Sequence, residues 1–132
     1  MRITVDTNIL VRAVMRDDVK QATAATKLLK DAETIAVSLP CLCEFVWVLR
    51  RVYRLGQTDI RAALLALLNT GNVAVNRPAA DAGLAALDAG GDFADGVIAF
   101  EGQWLGGEIF VSFDRKAVAV LAKQGLAAKL LV

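Results

Sequence analysis

The sequence predicts an α/β domain with a mostly parallel sheet, on three observations. Short β-branched runs (RITV, ETIAVS, NVAVN, GEIFVSFD) alternate with longer alanine- and leucine-rich segments of helical period. Two of these runs lead directly into an aspartate, Asp6 and Asp114. In a parallel α/β sheet that place, beyond the carboxyl end of a strand, is where ligands bind. The chain of 132 residues suits one domain with one core. It shows no internal repeat, low-complexity linker or composition break, so residues 1–132 are expected to form a single domain.

Taken in order, residues 2–5 read as a first strand ending at Asp6. Residues 19–29 carry apolar positions at helical spacing with several alanines, and a second strand follows around residues 35–37. Pro40 fits the first turn of a helix, which runs through LCEFVWVLRRVYRL to near Gly56. Thr58 opens the helix DIRAALLALLNT, closed by Gly71, and NVAVN is the third strand. PAADAGLAALDAG is a helix ending at Gly90 and Gly91. ADGVIAFEGQWLG is another, with Gly96 inside it at a cost of about 1 kcal/mol against alanine. GEIFVSFD reads as strand and turn, KAVAVLAKQG as helix, and LLV as a last short strand.

Composition narrows the chemistry. With aromatic residues at only 6%, the core is expected to be aliphatic, built from Ala, Val and Leu. Fifteen basic against fourteen acidic residues argue against nucleic-acid binding by bulk charge, and a net charge of +1 makes self-association a fair default. There is no histidine, and the two cysteines, Cys41 and Cys43, are too close in sequence to bridge well; a zinc site is all but excluded. Catalysis in such a chain runs without a histidine base, and carboxylates are the substitute. The N-terminus lacks the pattern of a signal peptide and no stretch is long and apolar enough to span a bilayer, so a reduced, cytoplasmic setting is expected.

The acids carry the site. Asp6 and Asp114 follow strands, where each also serves as a natural helix cap. Glu44 lies among Leu42, Cys43, Phe45, Val46 and Trp47, a stretch that reads as buried nearly all round, where a carboxylate is expensive unless paired, liganded or lining a cleft. The alternatives are a salt bridge to Arg50 or Arg51, or a helix face that reaches solvent. Asp92 and Asp95 stand three apart in GGDFADGVIAF and share a helix face, unless Asp92 is the N-cap and Asp95 the third helical residue. Clustered carboxylates repel and raise one another's pKa unless a cation holds them, and the hard, oxygen-seeking Mg²⁺ or Mn²⁺ suits an all-carboxylate site. Thr7, Asn8 and Ser112 are short polar neighbours, able to orient water or phosphate or simply to satisfy backbone groups at turns.

DTNIL with Arg12, the glutamate of LCEFVWVL, DFADGVIA, and VSFD followed by Arg115 together resemble a PIN-domain ribonuclease, and more closely the VapC toxins of toxin–antitoxin pairs. The pattern runs from Asp6 to Arg115, nearly the whole chain. The resemblance implies a three-layer α/β/α fold with a central, mostly parallel sheet of about five strands, and a homodimer. It implies Mg²⁺- or Mn²⁺-dependent endonucleolytic cleavage of structured RNA, such as tRNA or rRNA, until a VapB-type antitoxin blocks the site. By position, Asp6, Glu44, Asp95 and Asp114 match the family acids, with Asp92 an accessory one. Ser112 stands where threonine is common, and Thr7 and Asn8 match the polar pair after the first acid. Arg50, Arg51 and Arg54 in RRVYR, with Arg12 and Arg115, are candidate RNA contacts. The alternative is an inactive PIN-like binding module. A phosphatase of the aspartate-nucleophile kind wants DxD, and here Asn8 occupies the second place; a receiver domain lacks its acid pair.

Overall fold

The computed structural model describes residues 1–132, which resolve into two compact units, Met1–Asn76 and Arg77–Val132. The first unit contains β1 (Arg2–Thr4), α1 (Thr7–Met15), α2 (Val19–Asp31), β2 (Thr34–Ala36), α3 (Leu39–Arg51), α4 (Gln57–Leu68) and β3 (Val73–Ala74). The second contains α5 (Arg77–Asp88), α6 (Phe93–Trp104), β4 (Phe110–Ser112), α7 (Arg115–Lys123) and β5 (Ala128–Leu130). Every strand pairing is parallel. In the first unit the order is β1-β2-β3, with Ile3 opposite Ile35 and Ile35 opposite Val73; in the second β4 pairs with β5, Val111 opposite Lys129. The five strands foreseen as one central sheet are thus hydrogen-bonded as a group of three and a group of two. Each connection contains a helix, as a parallel neighbour requires.

In the first unit β2 is the central strand, and Ile35 and Val37 are buried accordingly. Around them lie Leu10 and Val11 of α1, Leu42, Phe45, Val46 and Leu49 of α3, and Ile60 and Leu64 of α4, all buried. α1 is not among the helices read from the sequence, although Asp6 reads there as a natural helix cap. Asp6 starts it by capping, and Thr7, Leu10 and Val11 then fall on one inward face. Asp18 and Ser38 cap α2 and α3 the same way, accepting from Gln21 N and Cys41 N. Asn72 ties the end of α2 to β3, its amide donating to the Leu29 and Ala32 carbonyls at 2.9 Å.

α3 ends earlier than its sequence suggests. Arg54 adopts a left-handed φ of 56°, and the Leu55 amide turns back to the Leu49 carbonyl, closing the helix as glycine usually does. In the second unit, α5 and α6 approach closely at small residues. A Cβ on Gly96 would fall on the Ala82 carbonyl oxygen and stand 2.8 Å from Ala86 Cβ, while Gly83 faces the fully buried Phe93 ring. The core is aliphatic as composition foretold, except that its two largest members are Phe45 and Phe93. No helix is long and apolar enough to cross a membrane.

Candidate functional site

In the second unit three aspartates gather where β4 ends and α6 begins. Asp92 is the N-cap of α6, accepting from Ala94 N at 3.2 Å, and Asp95 is the third helical residue, so the two acids take different roles rather than one shared orientation. Asp114 is the N-cap of α7; its Oδ1 accepts from Lys116 N at 2.9 Å and Ala117 N at 3.2 Å. The half-buried Asp95 has its carboxyl pushed above the ordinary 3.8 by burial first, then by the negative charges of Asp92 and Asp114. Ser112 spends its hydroxyl locally, accepting from Asp114 N at 3.0 Å.

The sign of the Asp95 shift makes a prediction. Between the unfolded and the raised folded pKa the native chain binds more protons, so this group's contribution to stability falls as pH rises through that window. Asp95→Asn removes the loss. Urea unfolding across a pH series is expected to show the variant more stable than wild type at neutral pH, with the difference vanishing as pH drops toward 3.8. Equal gains at every pH would show that charge at Asp95 is not the cause.

In the first unit Asp6 caps α1, its Oδ1 accepting from Asn8 N at 3.0 Å and Ile9 N at 3.4 Å. Thr7 is buried, and its hydroxyl donates to Cys41 Sγ at 3.9 Å. Burial pushes the Cys41 thiol up, the Thr7 hydroxyl works against it, and the charges of Asp6 and Glu44 add to the rise. The two carboxylates therefore act on the same thiol.

Glu44 corrects the expectation of a residue buried nearly all round. It is exposed and makes no ion pair with Arg50 or Arg51. The apolar neighbours misled because they occupy the other faces of α3: Leu42, Phe45, Val46 and Leu49 point inward, while Pro40, Glu44, Trp47 and Arg51, spaced by helical turns, form an open stripe.

Arg12 is engaged within the protein. Its Nε donates to Gln21 Oε1 at 2.7 Å, and one Nη reaches Asp17 Oδ1 at 3.3 Å and the Tyr53 hydroxyl at 3.2 Å. Tyr53 in turn donates to Asp17 Oδ2 at 2.8 Å, which lowers the Asp17 pKa, with Arg12 assisting, and raises that of Tyr53. Sequence reading missed this network, since Arg12 and Tyr53 are 41 residues apart and no local pattern announces it. Arg50, Arg51, Arg54 and Arg115 have no carboxylate partner. Beside Asp6, a groove of about 460 Å³ runs along α1 and α2, floored by Ile9, Ala24, Ala25 and Leu28 and edged by Asn8 and Arg12.

The donor chemistry fits a hard divalent cation. The oxygens are carboxylate, histidine is absent, each cap uses a single Oδ atom, and Asp95 is raised by burial and, after it, by the negative charges of Asp92 and Asp114. The acids are not drawn together into a finished shell, however: no three acidic or cysteine side chains stand close enough to hold a metal ion. Asp6 and Glu44 belong to the first unit, and Asp92, Asp95 and Asp114 to the second.

These features define an α/β protein with parallel strands and carboxylates at strand and helix termini. A family model, the PIN domain, matches residues 3–123, running through both compact units. The chain belongs to the PIN-domain family, a nuclease superfamily, and its fold is the PIN-like α/β/α arrangement. No curated protein matches it.

Proposed function

We propose that this chain is a Mg²⁺- or Mn²⁺-dependent endoribonuclease of the VapC type, the toxin half of a toxin–antitoxin pair, acting on structured RNA. The observation that carries the reading is Asp95, a carboxyl in a PIN-family chain pushed upward by burial first and then by the charges of Asp92 and Asp114, a repulsion that a cation relieves. Asp95, with Asp92 and Asp114 near it, would offer carboxylate oxygens to the ion, and the resemblance assigns Asp6 and Glu44 to the same chemistry. A Mg²⁺ or Mn²⁺ ion held by these residues would supply Lewis acidity toward water and positive charge toward the phosphoryl oxygens.

The chain's own residues do the rest. Asp95, held in place by α6, presents carboxylate oxygens as acceptors. Ser112 fixes the backbone at Asp114, so that this carboxylate is aimed by β4 and the start of α7 together. Arg115 and the unpaired arginines of α3 neutralise substrate phosphates. Cleavage by water leaves 5′-phosphate ends. Two partners accompany the reading. The groove beside Asp6, apolar along its floor and acidic at one end, suits a VapB-type helix or extended segment reaching in with a basic side chain. The exposed Trp104, Leu105, Ile109, Val111 and Phe113 are apolar surface of the kind a homodimer covers.

The test is cleavage of a panel of structured RNAs by the purified chain with Mg²⁺, Mn²⁺ or EDTA, beside thermal melting in the same buffers. Discrete cuts with 5′-phosphate ends, abolished by EDTA, are expected. So is a rise in melting temperature with Mn²⁺ that Asp95→Asn reduces. Absence of both, on every RNA, would leave the binding-module reading in its place.

A further inference from the structure

We propose that Trp47 is a stacking platform for an unpaired base of the RNA, placed one helical turn from Glu44 and one from Arg51. The inference rests on the ribonuclease reading and names the kind of substrate that the α3 stripe accepts. Trp47 lies mid-helix on the open face of α3 with 57% of its surface exposed, where a structural tryptophan would be covered. The other aromatics of this segment are committed elsewhere. Phe45 is fully buried, and the Tyr53 hydroxyl is pinned between Asp17 and Arg12.

Charge says what covers the ring. Arg50 and Arg51 at the end of α3 and Arg54 in the turn after it have no carboxylate partner, and Glu44 is the only acid in residues 39–54, so this segment carries three positive charges against one negative, or +2. The whole chain carries +1, which leaves −1 for everything else. Positive charge is thus gathered at the end of α3 and in the turn after it, where a near-neutral protein can still meet a polyanion. Along the helix axis Glu44 and Trp47 are about 4.5 Å apart and Trp47 and Arg51 about 6 Å. A backbone running past this stripe meets carboxylate, aromatic face and guanidinium in turn. A phosphate pairs with Arg51 and the adjoining base lies on the indole, while the Glu44 carboxylate repels phosphate and keeps the backbone toward the arginine side. A paired base has both faces stacked and its edge occupied, so the platform selects looped or single-stranded nucleotides.

The experiment uses full-length protein carrying Trp104→Phe, a change at a highly exposed position, so that Trp47 is the sole tryptophan. A single-stranded twelve-nucleotide RNA is titrated in EDTA, where nothing is cut, against the same strand annealed to its complement. Saturable quenching by the single strand and little by the duplex is expected. Trp47→Leu should raise Kd about tenfold, measured by polarisation of labelled RNA, and Trp47→Phe should keep most of the affinity. An unchanged Kd in Trp47→Leu, equal quenching by duplex, or no binding of either RNA overturns the platform. So does sedimentation showing a wild-type dimer that Trp47→Leu converts to monomer, which would make the face a protein interface. Metal-dependent cutting is scored separately: cutting with Kd indifferent to Trp47 removes the platform and keeps the nuclease, whereas Trp47-dependent binding without cutting does the reverse.

Discussion

Gly96→Ala is expected to lower the unfolding free energy by about 3 kcal/mol, although alanine is the better helix former by about 1 kcal/mol. The added Cβ falls on the Ala82 carbonyl oxygen and close to Ala86 Cβ, both parts of α5 rather than the ends of flexible side chains. Relief requires α5 and α6 to separate, which loosens the packing of buried Leu84, Leu87, Phe93 and Val97. Gly102 lies in the same helix with nothing within 4 Å of its would-be Cβ, and Gly102→Ala should be neutral or stabilising by up to about 1 kcal/mol. Urea denaturation of the pair decides it. If both substitutions move the midpoint the same way, close packing at Gly96 is not what sets the effect.

The second large effect concerns Asp6, which has two separable duties. As N-cap it holds the Asn8 and Ile9 amides, a task asparagine performs nearly as well and alanine does not. As a carboxylate it belongs to the proposed metal chemistry, for which an amide is a poor substitute. Asp6→Asn should therefore leave stability within about 0.5 kcal/mol of wild type, and Asp6→Ala should cost about 1 kcal/mol. Metal-dependent cleavage should fall at least about 100-fold in both. Cleavage by Asp6→Asn at the wild-type rate would confine Asp6 to its capping role.

Much of this architecture was legible in the sequence, and the failures share a cause. Strands such as RITV and NVAVN, and helices closed by Gly71 or Gly90, announce themselves through local period and punctuation. The helix after Asp6 announced itself only through its cap, and its inward face shows once Leu10 and Val11 are seen to be buried. Glu44 was misjudged since Trp47, apolar by type, hid the polar stripe to which both belong. Gly96 looked like a small local penalty, and its sign reverses only once α5 lies against it. Arg12 looked available for substrate, whereas the fold engages it with Gln21, Asp17 and Tyr53. For the candidate site, the acids were all recognisable; their division between capping and other duties depends on where each helix starts.

The left-handed turn at Arg54 has a bearing on how this protein evolves in the laboratory. Glycine adopts that backbone without penalty, while a side chain with a Cβ costs about 1 kcal/mol or more. A library sorted only for heat resistance is thus driven to exchange Arg54 for glycine, draining a guanidinium from the turn after α3 as it improves. Robustness and affinity for a polyanion are set against each other at this residue, and winners of the first contest will be losers of the second.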